Sequence, residues 1–246
     1  MKHITSFDNP LIKKIIALAS PKGRSAYGLF IAEGLRTCQT LAKSPLALNN
    51  FFVTPETYTQ AQEFVSEQKL IIVSEKIMHK IAATKTPSGF LGVFSIPQHK
   101  APGHLAPGLV LYNISDPGNM GTLIRSAVAF DRPQMILVSG ADPWSPKVIQ
   151  ASAGTIGYAL IIELDWNTLK KHSKRPLLCA MVAHNGKKSE KISSQDLIVV
   201  GGEAHGIPPE VATTCDRHVT LPMPGPAESL NAAVAGSIAL YLSILP

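Results

Sequence analysis

Apolar positions recur along this chain in two periods. Before residue 97, apolar runs at 29–32, 50–54, 70–74 and 90–95 read as short buried strands. Leu11, Ile15 and Leu18 stand at i, i+4 and i+7 behind Asn9-Pro10, the spacing of one helix face behind a cap and a proline. A second helical run follows Gly34 and continues to Leu41, and a polar helix is expected between residues 54 and 70. Strands alternating with helices predict a small α/β sandwich over residues 1–96.

The same alternation returns after residue 108 on a larger scale. Strands are expected over 109–113, 135–138, 177–182, 197–200 and 218–221, and helices over 120–130, 146–153, 208–215 and 229–245. The strands are apolar throughout instead of alternating, so both of their faces are expected to be covered, as in a mostly parallel sheet. Residues 97–108 carry three prolines and two glycines, which can continue neither a helix nor a central strand. They are expected to be a linker between a first domain at 1–96 and a second at 109–246. In the last helix, Val234, Ile238, Leu242 and Leu245 fall at i, i+4, i+8 and i+11 and predict a core-facing stripe. Ala232, Ala233 and Ala235 would leave room for a neighbouring helix.

Charge adds a division of labour. The net charge is +6, and residues 1–100 hold 12 Lys/Arg against 6 Asp/Glu while the remainder balances at 11 against 11. A basic module beside a neutral one suggests that the first meets a polyanion. Lys13, Lys14, Lys22 and Arg24 cluster around the first helix and the turn after it and are the expected phosphate contacts. On this reading a chain beginning near Pro107 should fold alone and keep its small-molecule site.

With 45% apolar and 16% charged residues the chain reads as globular. Cys38, Cys179 and Cys215 are far apart and odd in number, so reduced thiols of a cytoplasmic protein are expected, and no metal. The opening residues lack an apolar secretion segment, and the most apolar stretch, 232–245, is shorter than the roughly 20 residues of a membrane span. No membrane partner is expected.

Three clusters at predicted strand ends carry candidate chemistry, where open α/β sheets bind ligands. The first runs Asn113-x-x-Asp116-Pro117-Gly118-Asn119-x-Gly121-x-x-x-Arg125, with Asn119 expected as a helix cap and Arg125 one turn in. The second, Gly201-x-Glu203-x-x-Gly206, follows a buried strand and lets backbone approach a ligand closely. It has neither the lysine of a phosphate-binding loop nor dinucleotide-type glycine spacing. The third, Pro222-Met223-x-Gly225-x-x-x-Ser229-Leu230-Asn231, is a proline-shaped loop entering the last helix. Ser229 there is expected as a cap. Asn231 is a poor interior helix residue and asks for another reason.

In order and spacing these clusters resemble the three motifs of the SpoU (TrmH-type) RNA 2′-O-ribose methyltransferases, and the match spans roughly residues 113–241. The first domain, through Ile4-Thr5-Ser6, Asn9-Pro10 and Phe30-Ile31-Ala32-Glu33-Gly34, is similar to that family's L30e-like substrate-binding domain. The resemblance implies a SPOUT fold closed by a C-terminal deep trefoil knot, a homodimer and S-adenosylmethionine as cofactor. It implies that Gly201, Leu221 and Leu230 line the cofactor pocket, and that Arg125, Asn119, Glu203, Ser229 and Asn231 form the catalytic surface. The chain departs from the family's usual pattern at Asp131, where glycine is common, and after Asn231, where alanines replace valine and serine.

The function so implied is methylation of a ribose 2′-hydroxyl in structured RNA, with ribosomal RNA favoured over transfer RNA. Two alternatives stay open: an RNA-binding protein with an inactive scaffold, and a SPOUT enzyme that methylates a base.

Overall fold

The computed structural model describes residues 2–98, 103–183 and 192–245. Residues 99–102 of the expected linker lie outside them. The chain divides into two compact units, Met1–Gln98 with Asp142–Tyr158, and His99–Ala141 with Ala159–Pro246.

The first unit is a mixed sheet flanked by helices. In chain order it holds β1 (Lys2–Ile4), α1 (Pro10–Ala17), α2 (Pro21–Tyr27), β2 (Leu29–Glu33), α3 (Leu35–Ala42) and β3 (Leu48–Val53). α4 (Tyr58–Gln62), β4 (Leu70–Val73), α5 (Glu75–Ile81) and β5 (Phe90–Ser95) complete it. The strand order is β1-β4-β3-β5-β2, with β5 antiparallel to both its neighbours. The predicted stripe of α1 is buried at Ile15 and Leu18, joined by Ile12, against Phe52, Ile71 and Leu91 of the sheet. Asn9 caps α1 by accepting from Leu11 N, and Pro10 takes the first helical position, as the pattern required.

The second unit holds β6 (Gly108–Ile114), α6 (Pro117–Ala129) and β7 (Gln134–Gly140). The chain then supplies α7 (Pro146–Ala151) to the first unit and returns with β8 (Leu160–Glu163), α8 (Trp166–Lys171) and β9 (Leu178–Met181). β10 (Leu197–Gly201), α9 (Pro209–Ala212), β11 (Arg217–Val219) and α10 (Ala232–Ile244) follow. All six strands run parallel in the order β11-β9-β10-β6-β7-β8. Strand order reverses beside β6, with β7 and β8 built outward on one side and β10 and β9 on the other. The carboxyl ends of β6 and β10 therefore flank the crevice where such sheets accept ligands.

Four findings differ from the sequence reading. First, residues 142–158 cluster with the first unit, where the Trp144 ring packs at a tilt with its centroid 5.0 Å from that of Phe30 and Asp142 pairs with Arg24. A chain cut near Pro107 would strip this segment of its packing. Second, Arg24 is 3% exposed and cannot serve as a phosphate contact. Its guanidinium donates to Asp142 Oδ2 at 2.6 and 2.9 Å and to the carbonyls of Leu18 and Ala19. A buried guanidinium needs such partners, and here they are all internal.

Third, α10 is turned the other way round. Its small face, Ala233, Gly236 and Ala239, packs inward with Leu240 and Ser243. Gly236 lies so close to Leu123 and Val200 that any side chain there would collide with both. The expected core stripe faces outward instead, with Val234 47%, Ile238 37%, Leu242 38% and Leu245 38% exposed. Fourth, β1, α2, α5, β8 and α8 have no counterpart among the expected elements, each being too short to carry a clear period of its own.

Asp131 follows the α6 cap Phe130 with φ 56°. Asp131 N bonds Val128 O at 3.2 Å and Arg132 N bonds Ala127 O at 2.8 Å, the paired closure of a left-handed helix end. A side chain there costs strain, and a carboxylate opposes the negative end of the helix dipole. Asp131→Gly is expected to stabilise the protein by about 1 kcal/mol and to raise the thermal midpoint by roughly 2–4 °C in calorimetry. An unchanged or lower midpoint would contradict this account.

Cys38, Cys179 and Cys215 are all buried. Burial pushes the thiols of Cys38 and Cys215 up to about 12, so neither is a nucleophile near neutrality. Among the described residues, no helix is long and apolar enough to cross a membrane.

Candidate active site

The loops leaving β6 and β10 meet over the crevice because two glycines allow it. A side chain at Gly202 would collide with the Asn113 carbonyl, and one at Gly201 with the backbone of Gly206 and Ile207. The loop after β10 thus folds back on itself, with Gly206 N bonded to Gly202 O at 2.9 Å, and presses against the end of β6. Asn113 takes φ 53° there, the sparse left-handed region that tight turns at functional sites often use.

Glu203 is the junction this packing creates. Its Oε2 accepts from Ser115 Oγ at 3.1 Å and Ser115 N at 3.4 Å. Its Oε1 accepts from Asn119 Nδ2 at 2.7 Å and Asp116 N at 3.4 Å. Asn119 Oδ1 in turn accepts from Asn231 Nδ2 at 2.9 Å, and Asn231 Oδ1 accepts from Ala233 N and Val234 N. The orientation of both amides is dictated from the ends. A carboxylate only accepts and backbone N–H groups only donate, so the nitrogen of Asn119 must face Glu203 and the oxygen of Asn231 must face the helix. Partial burial works against the charge on Glu203, but the Asn119 amide, the Glu203 backbone and Ser115 outweigh it and hold the carboxyl below its usual range.

The capping roles differ from expectation, and the difference has a use. Asp116, not Asn119, caps α6 by accepting from Asn119 N at 2.7 Å. The Asn119 side chain is thereby free to bridge Glu203 and Asn231. Asn231, not Ser229, caps α10, which answers why an asparagine stands there. Ser229 lies in the loop before it.

Beside this network lies a cavity of about 450 Å³ lined by residues 181–183, 200–207, Leu221, Met223, Ser229, Leu230, Ala232 and Ala235. It gathers Gly201, Leu221, Leu230, Glu203 and Ser229 from three separate stretches of sequence. Its volume lies in the roughly 300–1,000 Å³ range of small-molecule sites. The sequence reading did not name Met181, Val182, His205, Ile207 or Met223 as lining residues.

Arg125 stands apart. It begins the third turn of α6 instead of lying one turn in, because the helix starts at Pro117. Its position is about 9 Å along the axis from Asn119 at 1.5 Å per residue. It is exposed and does not line the cavity. Its neighbour Ser126 bonds Ser237 of α10 at 2.7 Å, which sets α6 and α10 side by side.

Residues 107–241 match the SpoU rRNA Methylase family. The chain belongs to that family. Residues 9–92 separately match the MRM3-like substrate binding domain. Over 97% of its length this SpoU-family chain is 29% identical to an uncharacterized tRNA/rRNA methyltransferase of Synechocystis sp., covering 92% of that protein. It is 27% identical to the 23S rRNA (guanosine(2553)-2′-O)-methyltransferase RlmP of Bacillus subtilis, with 98% of each chain covered. The structure of an AdoMet-bound rRNA methyltransferase from Sinorhizobium meliloti superposes with a TM-score of 0.84 at 25% identity, covering 100% of this chain and 99% of that one. An RNA 2′-O ribose methyltransferase structure superposes at 0.79 with 26% identity, covering 98% of each. These likenesses run through both units.

Proposed function

We propose that this chain transfers the methyl group of S-adenosylmethionine to a ribose 2′-hydroxyl of ribosomal RNA. The observation that carries the reading is the Glu203–Asn119–Asn231 network, which ties all three SpoU motifs together at the rim of one cavity. The cavity suits the cofactor chemically. Leu221, Met223 and Leu230 offer apolar contact, and the ionised Glu203 at the rim favours a cation. When bound, the cofactor supplies a methyl group already activated by its sulfonium.

The protein must orient the acceptor oxygen and stabilise the charge that develops as its proton leaves. Asn119 and Asn231 each spend one amide hydrogen on the network, and each keeps a second to donate to the acceptor ribose. Arg125, permanently charged but about 9 Å along α6 from Asn119, is assigned the clamp on an RNA phosphate beside the acceptor; it is not the base. Glu203 is equally unsuited to accept a proton, since its hydrogen bonds favour the ionised form. Its part is to hold Asn119.

Glu203→Gln tests that division. A positioning carboxylate held below its usual pKa contributes fully above the ordinary carboxylate range, and its contribution is lost only as pH falls through the lowered value. Between pH 6 and 9 the variant is therefore expected to lose about 10²-fold in kcat with the shape of the pH profile unchanged. Loss of an alkaline-rising limb in the variant would instead make Glu203 the proton acceptor.

The same reading includes the C-terminal knot of the SPOUT fold, a cytoplasmic setting and a homodimer. The exposed α10 stripe, with Ile238 at its centre, supports the dimer, because so contiguous an apolar face on one helix is the mark of a covered surface. Ile238→Lys is expected to shift the protein to a monomer in light scattering at micromolar concentration. A wild-type protein that is monomeric and fully active there would refute the dimer.

The activity itself is tested by tritium transfer from labelled cofactor to ribosomal RNA, followed by nuclease and alkali mapping. Protection of one phosphodiester from alkali is the expected result. Label on a base, or none on any RNA the protein binds, would favour the base-modifying or inactive-scaffold alternatives.

A further inference from the structure

Within the first unit, the contact of α1 with α2 arranges a surface that the motifs do not account for. Gly23 lets α2 press onto the carbonyl of Ala17, where any side chain would collide. Arg24, buried and bonded to the carbonyls of Leu18 and Ala19, locks the connection between the two helices. This places Lys14 Nζ of α1 over the ring of Tyr27, 5.0 Å from its centroid. Tyr27 ends α2 with 48% exposure, fixed by the left-handed Gly28 behind it. Lys22 is exposed on the same helix and makes no ion pair among the described residues.

We propose that Tyr27, with Lys14 against its ring and Lys22 on the same helix, is a stacking platform for an unpaired base of the RNA substrate. The proposal rests on the reading of the first unit as RNA-facing and makes it specific. Unpaired bases are recognised by aromatic faces set among cations, whereas duplex RNA offers no free base face. The exposed apolar side chains of the two units separate the two kinds of partner. In the first unit the large ones are Phe7, Tyr27 and Tyr158, all aromatic. In the second they are aliphatic except for Tyr241, the composition of a protein contact. The anchoring of α2 through Arg24 means that little conformational freedom is lost when a base arrives, which favours binding. Lys14 also holds its charge where a stacked nucleotide would bring a phosphate.

The test is fluorescence anisotropy with the full chain, comparing a labelled RNA stem-loop with the blunt duplex of its stem. Tyr27→Ala is expected to weaken stem-loop binding about tenfold, to leave duplex binding unchanged and to keep the slope of log K against log salt. Tyr27→Phe should bind as the parent does, because the ring and not the hydroxyl stacks. Tyr27→Leu, which keeps apolar area at an exposed position, should lose as much as the alanine variant. Parent-like stem-loop binding by the leucine variant would overturn stacking. An equal loss on stem-loop and duplex would also overturn it. A Lys13→Gln/Lys22→Gln double variant separates the two levels of the argument. If it lowers the salt slope by roughly 0.7–0.9 per lost contact while Tyr27→Ala is silent, the platform falls and the RNA-facing reading stands. If both are silent, both fall.

Discussion

Arg125→Ala is expected to reduce methyl transfer by about 10²-fold, the scale of loss when a clamp that orients the acceptor is removed. Affinity for S-adenosylmethionine should stay within about twofold of the parent, because Arg125 is exposed on α6 and lines no part of the cofactor cavity. Its guanidinium makes no ion pair among the described residues, so its loss leaves no buried charge uncompensated. Calorimetry with the cofactor and single-turnover kinetics on the RNA separate the two effects. Near-normal turnover in the variant would remove Arg125 from the chemistry. A large loss of cofactor affinity would place it in the cavity instead. Arg125→Lys should recover little, since an ammonium cannot reproduce the paired donors of a guanidinium toward phosphate.

Gly201→Ala should give the opposite signature. The added methyl has nowhere to go, because the atoms it would meet are the backbone of Gly206 and Ile207, not a movable side chain. The loop after β10 must shift by an ångström or more to admit it, and that loop forms one wall of the cavity. Cofactor affinity is expected to fall by about tenfold to a hundredfold, in line with a misplaced binding wall. RNA affinity should hold, since the first unit is untouched. Isothermal titration with the cofactor and anisotropy with RNA measure the two sides. Parent-like cofactor binding in the variant would show that the Gly201 backbone is not part of the site. Gly206, whose φ is 62° but whose Cβ would meet open space, provides a contrast. Alanine there introduces strain without a collision.

The two outcomes divide a machinery that the three motifs present as a single list. On the proposed reading, residues whose backbone or apolar surface forms the cavity govern the cofactor, and polar side chains at its rim govern the acceptor. Glu203 belongs to both, because its loop walls the cavity while its carboxylate grips the β6–α6 turn.

Much of this was legible in the amino-acid order, for reasons that are local. A parallel sheet buried on both faces leaves uninterrupted apolar runs, so β6, β7, β9 and β10 were readable within a few residues. β8, equally short but ending on Glu163, was not. Asn9-Pro10 announces a helix start because cap and proline act on adjacent backbone. The clusters that carry chemistry fall where backbone must turn tightly or approach closely, which only certain residue types permit. They were visible as types and spacings, and the family likeness supplied their roles.

What tertiary structure decided is everything that depends on which face meets which neighbour. The periodicity of α10 is equally consistent with burying its large or its small side chains. Only the approach of Leu123 and Val200 to Gly236 shows that the small face is inside and the large one outside. Arg24 reads as a surface cation until Asp142, 118 residues further on, is brought to its guanidinium. The sharing of capping duties among Asp116, Asn119 and Asn231 follows from Glu203 arriving from another strand to claim the Asn119 amide. Sequence specifies the local conformations each residue tolerates. Choosing among them requires long-range contacts, whose energies exist only once distant segments are packed together.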